Sequence, residues 1–155
     1  MIYCLHRVFL DILEEACGSV ESTRLVEKHL DSKIHFQKGE YAQAKLVRVL
    51  EGTVLDIAVD LRKDSPTFGK HVAVELSADN RRQLMIPRGF GHGFSVLSDT
   101  AVFAYKCDNV YNKSAEGGLR YNDPKLGIDW KIDTDKAILS DKDKVNPLLE
   151  EIECF

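Results

Sequence analysis

"KLVRVLEGTVLDIAVDL", residues 45–61, holds two runs of alternating, β-branched residues separated by Glu51-Gly52. Period-two alternation puts successive side chains on opposite faces of a strand, and a Glu-Gly pair between two such runs reads as a hairpin turn. In the second run Leu55, Ile57, Val59 and Leu61 share one face, and Asp56, Ala58 and Asp60 share the other. Working outward, "RKDSPTFGK" (62–70) is a loop by its Ser-Pro and Gly, and "HVAVELS" (71–77) alternates again, with Val72, Val74 and Leu76 inward. Asp79-Asn80 and Pro87-Arg88-Gly89 mark turns around "RRQLMI" (81–86), and "GHGFSVLS" (91–98) and "AVFAYKC" (101–107) are again of strand length. Short strands at this spacing predict an all-β fold, an antiparallel sandwich or barrel. The ends read differently. "FLDILEEA" (9–16) and "TRLVEKHL" (23–30) have helix-like spacing and good helix formers, and "DKAILSDKDKVNPLLEEI" (135–152) suggests a turn and a short helix.

Composition narrows the class. The chain has 155 residues, 44% apolar content and a formal net charge of −4, without the basic excess that binding to a phosphate backbone needs. No linker, repeat or low-complexity tract divides it, so one domain over 1–155 is expected, with an N-terminal segment at 1–34, a barrel core at 35–130 and a tail at 131–155. Cys4, Cys17, Cys107 and Cys154 are scattered, with no CxxC pair, and read as reduced structural thiols. No apolar run reaches the length of a membrane span, and "MIYCLHRVFLDILEE" turns acidic where a secretory leader offers small residues. A cytoplasmic protein with neither a nucleic-acid nor a membrane partner is expected.

Chemistry must come from polar groups turned toward the concave face. His35, between Ile34 and Phe36, reads alone as a hydrogen-bonded core histidine, and Tyr105 on its alternating strand reads alone as core. They gain weight from company. Lys45 follows His35 by ten residues, His92 sits between two glycines where a ligand can approach closely, and Tyr111 follows Tyr105.

The chain also carries "VDLRKDSPTFGK" (59–70), "IPRGFGHGF" (86–94), "YKC" (105–107) followed by Tyr111, and "NDPKLGIDW" (122–130), in that order. From His35 to Trp130, with an echo in "LSDKD" (139–143), the chain resembles the dTDP-4-dehydrorhamnose 3,5-epimerases. The resemblance implies a cupin-type jelly roll, an antiparallel β-barrel, with short helices at the termini. It also implies a dTDP-4-keto-6-deoxyhexose substrate and a homodimer. The substrate ketone acidifies the C–H bonds on both flanking carbons, and epimerisation removes a proton from one face and returns it to the other. His35 matches the family's base, Lys45 the cation that stabilises the enolate, and Tyr105 the acid on the opposite face. Asp143 resembles the carboxylate that orients the base, with Asp141 as an alternative; His92, Tyr111 and Gln37 match substrate-binding positions. The chemistry calls for no cofactor and no metal, and the sequence has neither the HxH-plus-Glu set of metal-binding cupins nor a GxGxxG.

The segment before the base departs from the family. Where members carry Arg-Gly, this chain has Ser32-Lys33, and the Asp-x-Arg-Gly-x-Phe and Gln-Asp-Asn segments are absent beyond a faint "RVFLD" (7–11). The missing arginine contacts the diphosphate in the family, and a lysine lacks its bidentate fork. The helix-like residues 9–30 offer no alternating pattern for an exchanged strand, so a weakened dimer is expected. Two readings follow: an active epimerase, including a relative that epimerises one carbon or isomerises the ketone, and a non-catalytic or degenerate member that keeps the fold.

Overall fold

Residues 45–51 and 53–60 are strands, as their alternation predicts, but they do not pair with each other. The computed structural model describes residues 20–27, 33–133 and 146–152. Among the described residues nine strands follow in chain order: β1 (Val20–Glu27), β2 (Lys33–Gln37), β3 (Lys45–Glu51), β4 (Thr53–Asp60), β5 (His71–Ser77), β6 (Gln83–Ile86), β7 (Phe90–Val96), β8 (Thr100–Cys107) and β9 (Glu116–Arg120). They form a four-stranded sheet in the order β1-β8-β3-β6 and a five-stranded sheet in the order β5-β4-β7-β2-β9. Glu51-Gly52 is therefore a corner at which the chain leaves one sheet for the other, and the expected hairpin is corrected. Gly52 has φ +76°, and a Cβ there would lie 2.2 Å from the Thr100 carbonyl oxygen. That oxygen belongs to the next crossing, where Ser98 accepts the Thr53 N–H at 2.9 Å and donates to Thr100 O at 2.6 Å. Two sheet-to-sheet corners lock together there, and only glycine fits between them.

The expected closed barrel is also overturned. Among the described residues the ladders of the two sheets stay separate, leaving β1 and β6 as edges of one and β5 and β9 as edges of the other, so neither sheet closes. The sheets meet through side chains: β3 and β5 touch but share no ladder. This is a sandwich. The helix-like reading of 23–30 fails over the part described, because β1 pairs with β8 along its full length, from Val20↔Cys107 to Glu27↔Thr100. Eight residues of register and the burial of Val26 outweigh a weak local helix preference. Among the described residues the helical elements are 3₁₀ turns at Gly39–Tyr41 and Lys113–Ala115. The readings at 9–16 and over most of 135–152 fall outside the described residues, apart from 146–152, which form a turn.

Strand β4 explains why the five-stranded sheet can be covered on both faces. Val54 and Ala58 pack between the sheets with Val47, Leu76, Ile86, Phe94 and Phe103. Leu55, Ile57, Val59 and Leu61 face the other way and join Ile34, Phe36, Leu119 and Trp130 in a second core. The loop after β9 and residues 146–152 cover that second core. Trp130 donates its indole N–H to Tyr121 O at 3.0 Å, and its carbonyl accepts from the buried Ser95 hydroxyl at 2.7 Å. The buried Asp123 carboxylate accepts the Leu149 N–H at 2.6 Å. β5 is less inward than its alternation predicts: Leu76 is fully buried, but Val72, on this edge strand, is exposed.

Asp60 ends β4 with a clamp. Its carboxylate, 1% exposed, accepts from Arg62 at 2.7 and 2.9 Å, Ser65 at 2.6 Å and Thr67 at 2.6 Å. Burial alone would raise its pKa, yet these donors together hold it well below the usual carboxylate range. A carboxyl depressed in the folded state contributes stability that is present above its unfolded pKa, near 3.9, and is lost as pH falls through the folded value. The Asp60→Asn variant is therefore expected to lose stability at pH 7 but to show a flatter decline below about pH 4 than the parent, as read by urea midpoints across pH. A parallel acid limb in the two proteins would remove Asp60 from that role.

Candidate active site

A cavity of about 300 Å³ opens between the sheets. Its walls come from β1, β3 and β8 on one side and from β2, β7 and β9 on the other, and it lies away from the β3–β5 contact. Alternation decides what enters it. On β2, Ile34 and Phe36 are committed to the second core, so His35 and Gln37 point the opposite way, into the cavity. Gly117 lets this happen: it pairs with Phe36, and a Cβ there would meet the Phe36 ring at 2.3 Å. On β8, Ala101 and Phe103 face the inter-sheet core, which carries Tyr105 and Cys107 to the same face. On β3, Val47 and Val49 are inward, and so is Lys45.

The structure brings six of the seven expected site residues together. His35, Gln37, Lys45, His92, Tyr105 and Tyr111 all line the cavity. Asp143, like its alternative Asp141, lies outside the described residues. His35 and His92 are register partners across β2 and β7 and share the concave face. The half-buried His35 stands with Nδ1 3.6 Å from the Glu116 carboxylate, an ion pair only when the imidazole is protonated. Glu116 also accepts the Tyr111 hydroxyl at 2.8 Å, and that hydrogen bond raises the Tyr111 phenol above its usual pKa. Gln37 turns its Oε1 to the Asn112 N–H at 2.9 Å, fixing the loop that carries Tyr111. Lys45 is the register partner of Cys107. Burial pushes the Cys107 thiol up, and the nearby Lys45 charge partly opposes the shift.

The sequence did not reveal the pair that holds His92. Asp56 is fully buried, and its carboxylate lies 3.0 and 3.1 Å from His92 Nε2. The carboxylate only accepts, so Nε2 carries the proton it shares and Nδ1 is the ring's remaining nitrogen. Phe103 stacks on the same ring at 6.1 Å, and Phe94 stacks on Phe103 at 4.7 Å, giving the cavity an aromatic floor. The signal was present in the alternation: Asp56 shares a face with Ala58, and Ala58 pairs with His92. Arg24, Gln43, Cys107 and Glu116 also line the cavity without having been singled out. Among the described residues no cluster of His, Cys, Asp and Glu is arranged to hold a metal ion.

The family model for dTDP-4-dehydrorhamnose 3,5-epimerase matches residues 22–151. The chain belongs to the dTDP-4-dehydrorhamnose 3,5-epimerase family. Membership classes it as a sugar-nucleotide 3,5-epimerase, an isomerase, as the sequence resemblance implied. The dTDP-4-dehydrorhamnose 3,5-epimerase of Salmonella typhimurium is 51% identical over an alignment of 144 residues that covers 89% of this chain and 78% of that protein. The protein of the same name from Shigella flexneri is 54% identical over 110 residues, 71% of this chain and 60% of its own length. Among solved structures, the enzyme from Elizabethkingia anophelis superposes with a TM-score of 0.82 at 53% identity, covering 85% of this chain and 72% of that one. The Legionella pneumophila epimerase, solved in complex with dTDP-4-keto-L-rhamnose, gives 0.83 at 43% identity and covers 94% of this chain and 77% of that one. The epimerase likeness thus extends on both sides of the His35–Trp130 stretch that the motifs identified, and it takes in most of β1.

Proposed function

We propose that the protein epimerises dTDP-4-dehydro-6-deoxy-D-glucose at C3 and C5 to dTDP-4-dehydro-L-rhamnose, with His35 as base, Tyr105 as acid and Lys45 as the cation that stabilises the enolate. One observation carries the assignment: His35 stands on the five-stranded sheet and Tyr105 on the four-stranded sheet, on facing walls of a single cavity. Epimerisation needs a proton taken from one ring face and another delivered to the opposite face, and two groups on facing walls meet that need. A neutral imidazole is a competent base near pH 7. As the C–H bond breaks, its electron pair moves onto the ketone oxygen, where an ammonium in a partly enclosed site opposes the new charge. Lys45 enters from β3, beside the strand that carries Tyr105. The His92–Asp56 pair and the aromatic floor hold the sugar against these groups.

Proton NMR of the 4-keto-6-deoxyglucose nucleotide with the protein in D2O tests this reading. Loss of the C3 and C5 proton signals is expected. Loss at one carbon only would indicate a single-carbon epimerase, and no loss at either would favour the non-catalytic reading suggested by Ser32. Tyr105→Phe is expected to keep some exchange, because His35 can return a proton to its own face, while losing inverted product. Equal loss of exchange and inversion would show that Tyr105 has another role.

The same reading includes a homodimer in a reducing cytoplasm. β1 is an edge strand with Leu25 69% exposed, and an open edge invites a second chain. Cys107 is a buried free thiol, and no helix among the described residues is long and apolar enough to cross a membrane. Sedimentation from nanomolar to micromolar protein should show a dimer that dissociates within that range. A monomer throughout would remove the assembly.

A further inference from the structure

We propose that Arg24 is a residue by which this chain holds the anionic diphosphate of its ligand. This rests on the sugar-nucleotide reading above and extends it to a residue that neither the sequence motifs nor the His35–Lys45–Tyr105 set includes. Arg24 reaches the cavity because of its register: it pairs with Phe103 on β8 and stands two residues before Val26, which is buried between the sheets. It is exposed at the cavity wall and makes no hydrogen bond or ion pair with any described residue. A guanidinium lining a cavity with no partner among the described residues is available to an anion.

Arg24 and Lys45 are the permanent cations among the lining residues, and they serve different charges. Arg24 lies opposite Phe103, whereas Lys45 lies opposite Cys107, on the far side of β8. Four residues along a strand and two strand spacings across a sheet put their backbones roughly 16 Å apart. A single enolate oxygen held by Lys45 is out of reach of Arg24. A ligand that uses both cations must carry a second negative group at a distance from its reacting carbonyl, as a nucleoside diphosphate sugar does. The carboxylate lining the cavity, Glu116, lies on β9 in the other sheet and accepts the Tyr111 hydroxyl.

Binding of dTDP and of thymidine to the full chain and to Arg24→Gln, followed by NMR titration with thermal melting as a check on folding, tests the assignment. Arg24→Gln is expected to weaken dTDP binding by about 10- to 100-fold while changing thymidine binding less than about twofold. Equal affinity of the variant and the parent for dTDP would overturn the inference and leave the epimerase reading standing. Equal loss of both ligands would also overturn it, since that is the result of a structural role. If the parent binds no dTDP and exchanges no substrate proton, both readings fall. Should Arg24→Gln not fold, the Arg24 Nε–H resonance of the parent decides: it shifts with dTDP and not with thymidine if the inference holds, and an unmoved resonance overturns it.

Discussion

His35→Asn is expected to remove deuterium exchange at C3 and C5 by about 10²- to 10⁴-fold or more, the contribution of a positioned general base. The fold should survive. The His35 side chain is 33% exposed, and its ring is not part of either apolar core. Asparagine preserves polarity and much of the shape at a half-open wall, so the cost in stability should be about 1 kcal/mol or less. Exchange kinetics in D2O and a thermal melt on the same preparation give both numbers. Near-normal exchange in a folded His35→Asn protein would remove His35 from the role of base. His92 would then be the next candidate, because it is the register partner of His35 on the same concave face.

Asp56→Ala is expected to produce the largest loss of stability of the substitutions considered, about 3 to 5 kcal/mol. Asp56 is 0% exposed and His92 7%, their side chains meet at 3.0 Å, and Phe103 stacks on the His92 ring. Removing the carboxylate leaves the imidazole N–H unpaired at a buried position and opens a void beneath it. Since a domain of this size is held by about 5 to 15 kcal/mol in total, the variant should unfold at markedly lower urea. The double replacement Asp56→Val with His92→Phe separates the causes, because it removes both polar partners together. It should recover much of the stability. A loss below about 1 kcal/mol in Asp56→Ala would show that the pair orients His92 without supporting the fold.

Much of the strand set was legible because alternation is a local property. β3, β4, β5 and β8 stand where the period-two runs place them, within a residue at their ends, and β7 ends at Val96, two residues before the run suggested. β6 begins at Gln83, two residues later than the run beginning at Arg81 suggested, because Arg81 takes φ +52° and belongs to the turn. β1 and β9 went unread for opposite reasons. β1 is rich in residues that suit a helix, and only its ladder with β8 fixes it as a strand. β9 reads "EGGLR", and two glycines argue against a strand until the ring of Phe36 is seen to need the space above Gly117. The site was legible through its motifs: His35, Gln37, Lys45, His92, Tyr105 and Tyr111 were named from the sequence and share a cavity. Arg24 was not, because the strand that presents it carried no strand signal.

By itself the sequence determined the all-β class, the inward and outward faces of most strands, and the epimerase resemblance, because each depends on residue identity at fixed short spacing. It could not determine which strands pair. Glu51-Gly52 has the local form of a hairpin turn, yet β3 and β4 part there into different sheets. A hairpin and a corner need similar backbone freedom from glycine, and the choice is made by burial. β4 carries apolar side chains on both faces and finds cover for both only at an interior position of the five-stranded sheet, between β5 and β7. Asp56 follows the same logic. Its carboxylate looks like a solvent-facing group on an alternating strand, and only the packing of one sheet on the other buries it beneath His92. Tertiary structure alone decided those contacts, because they join residues far apart in the chain whose proximity no local pattern encodes.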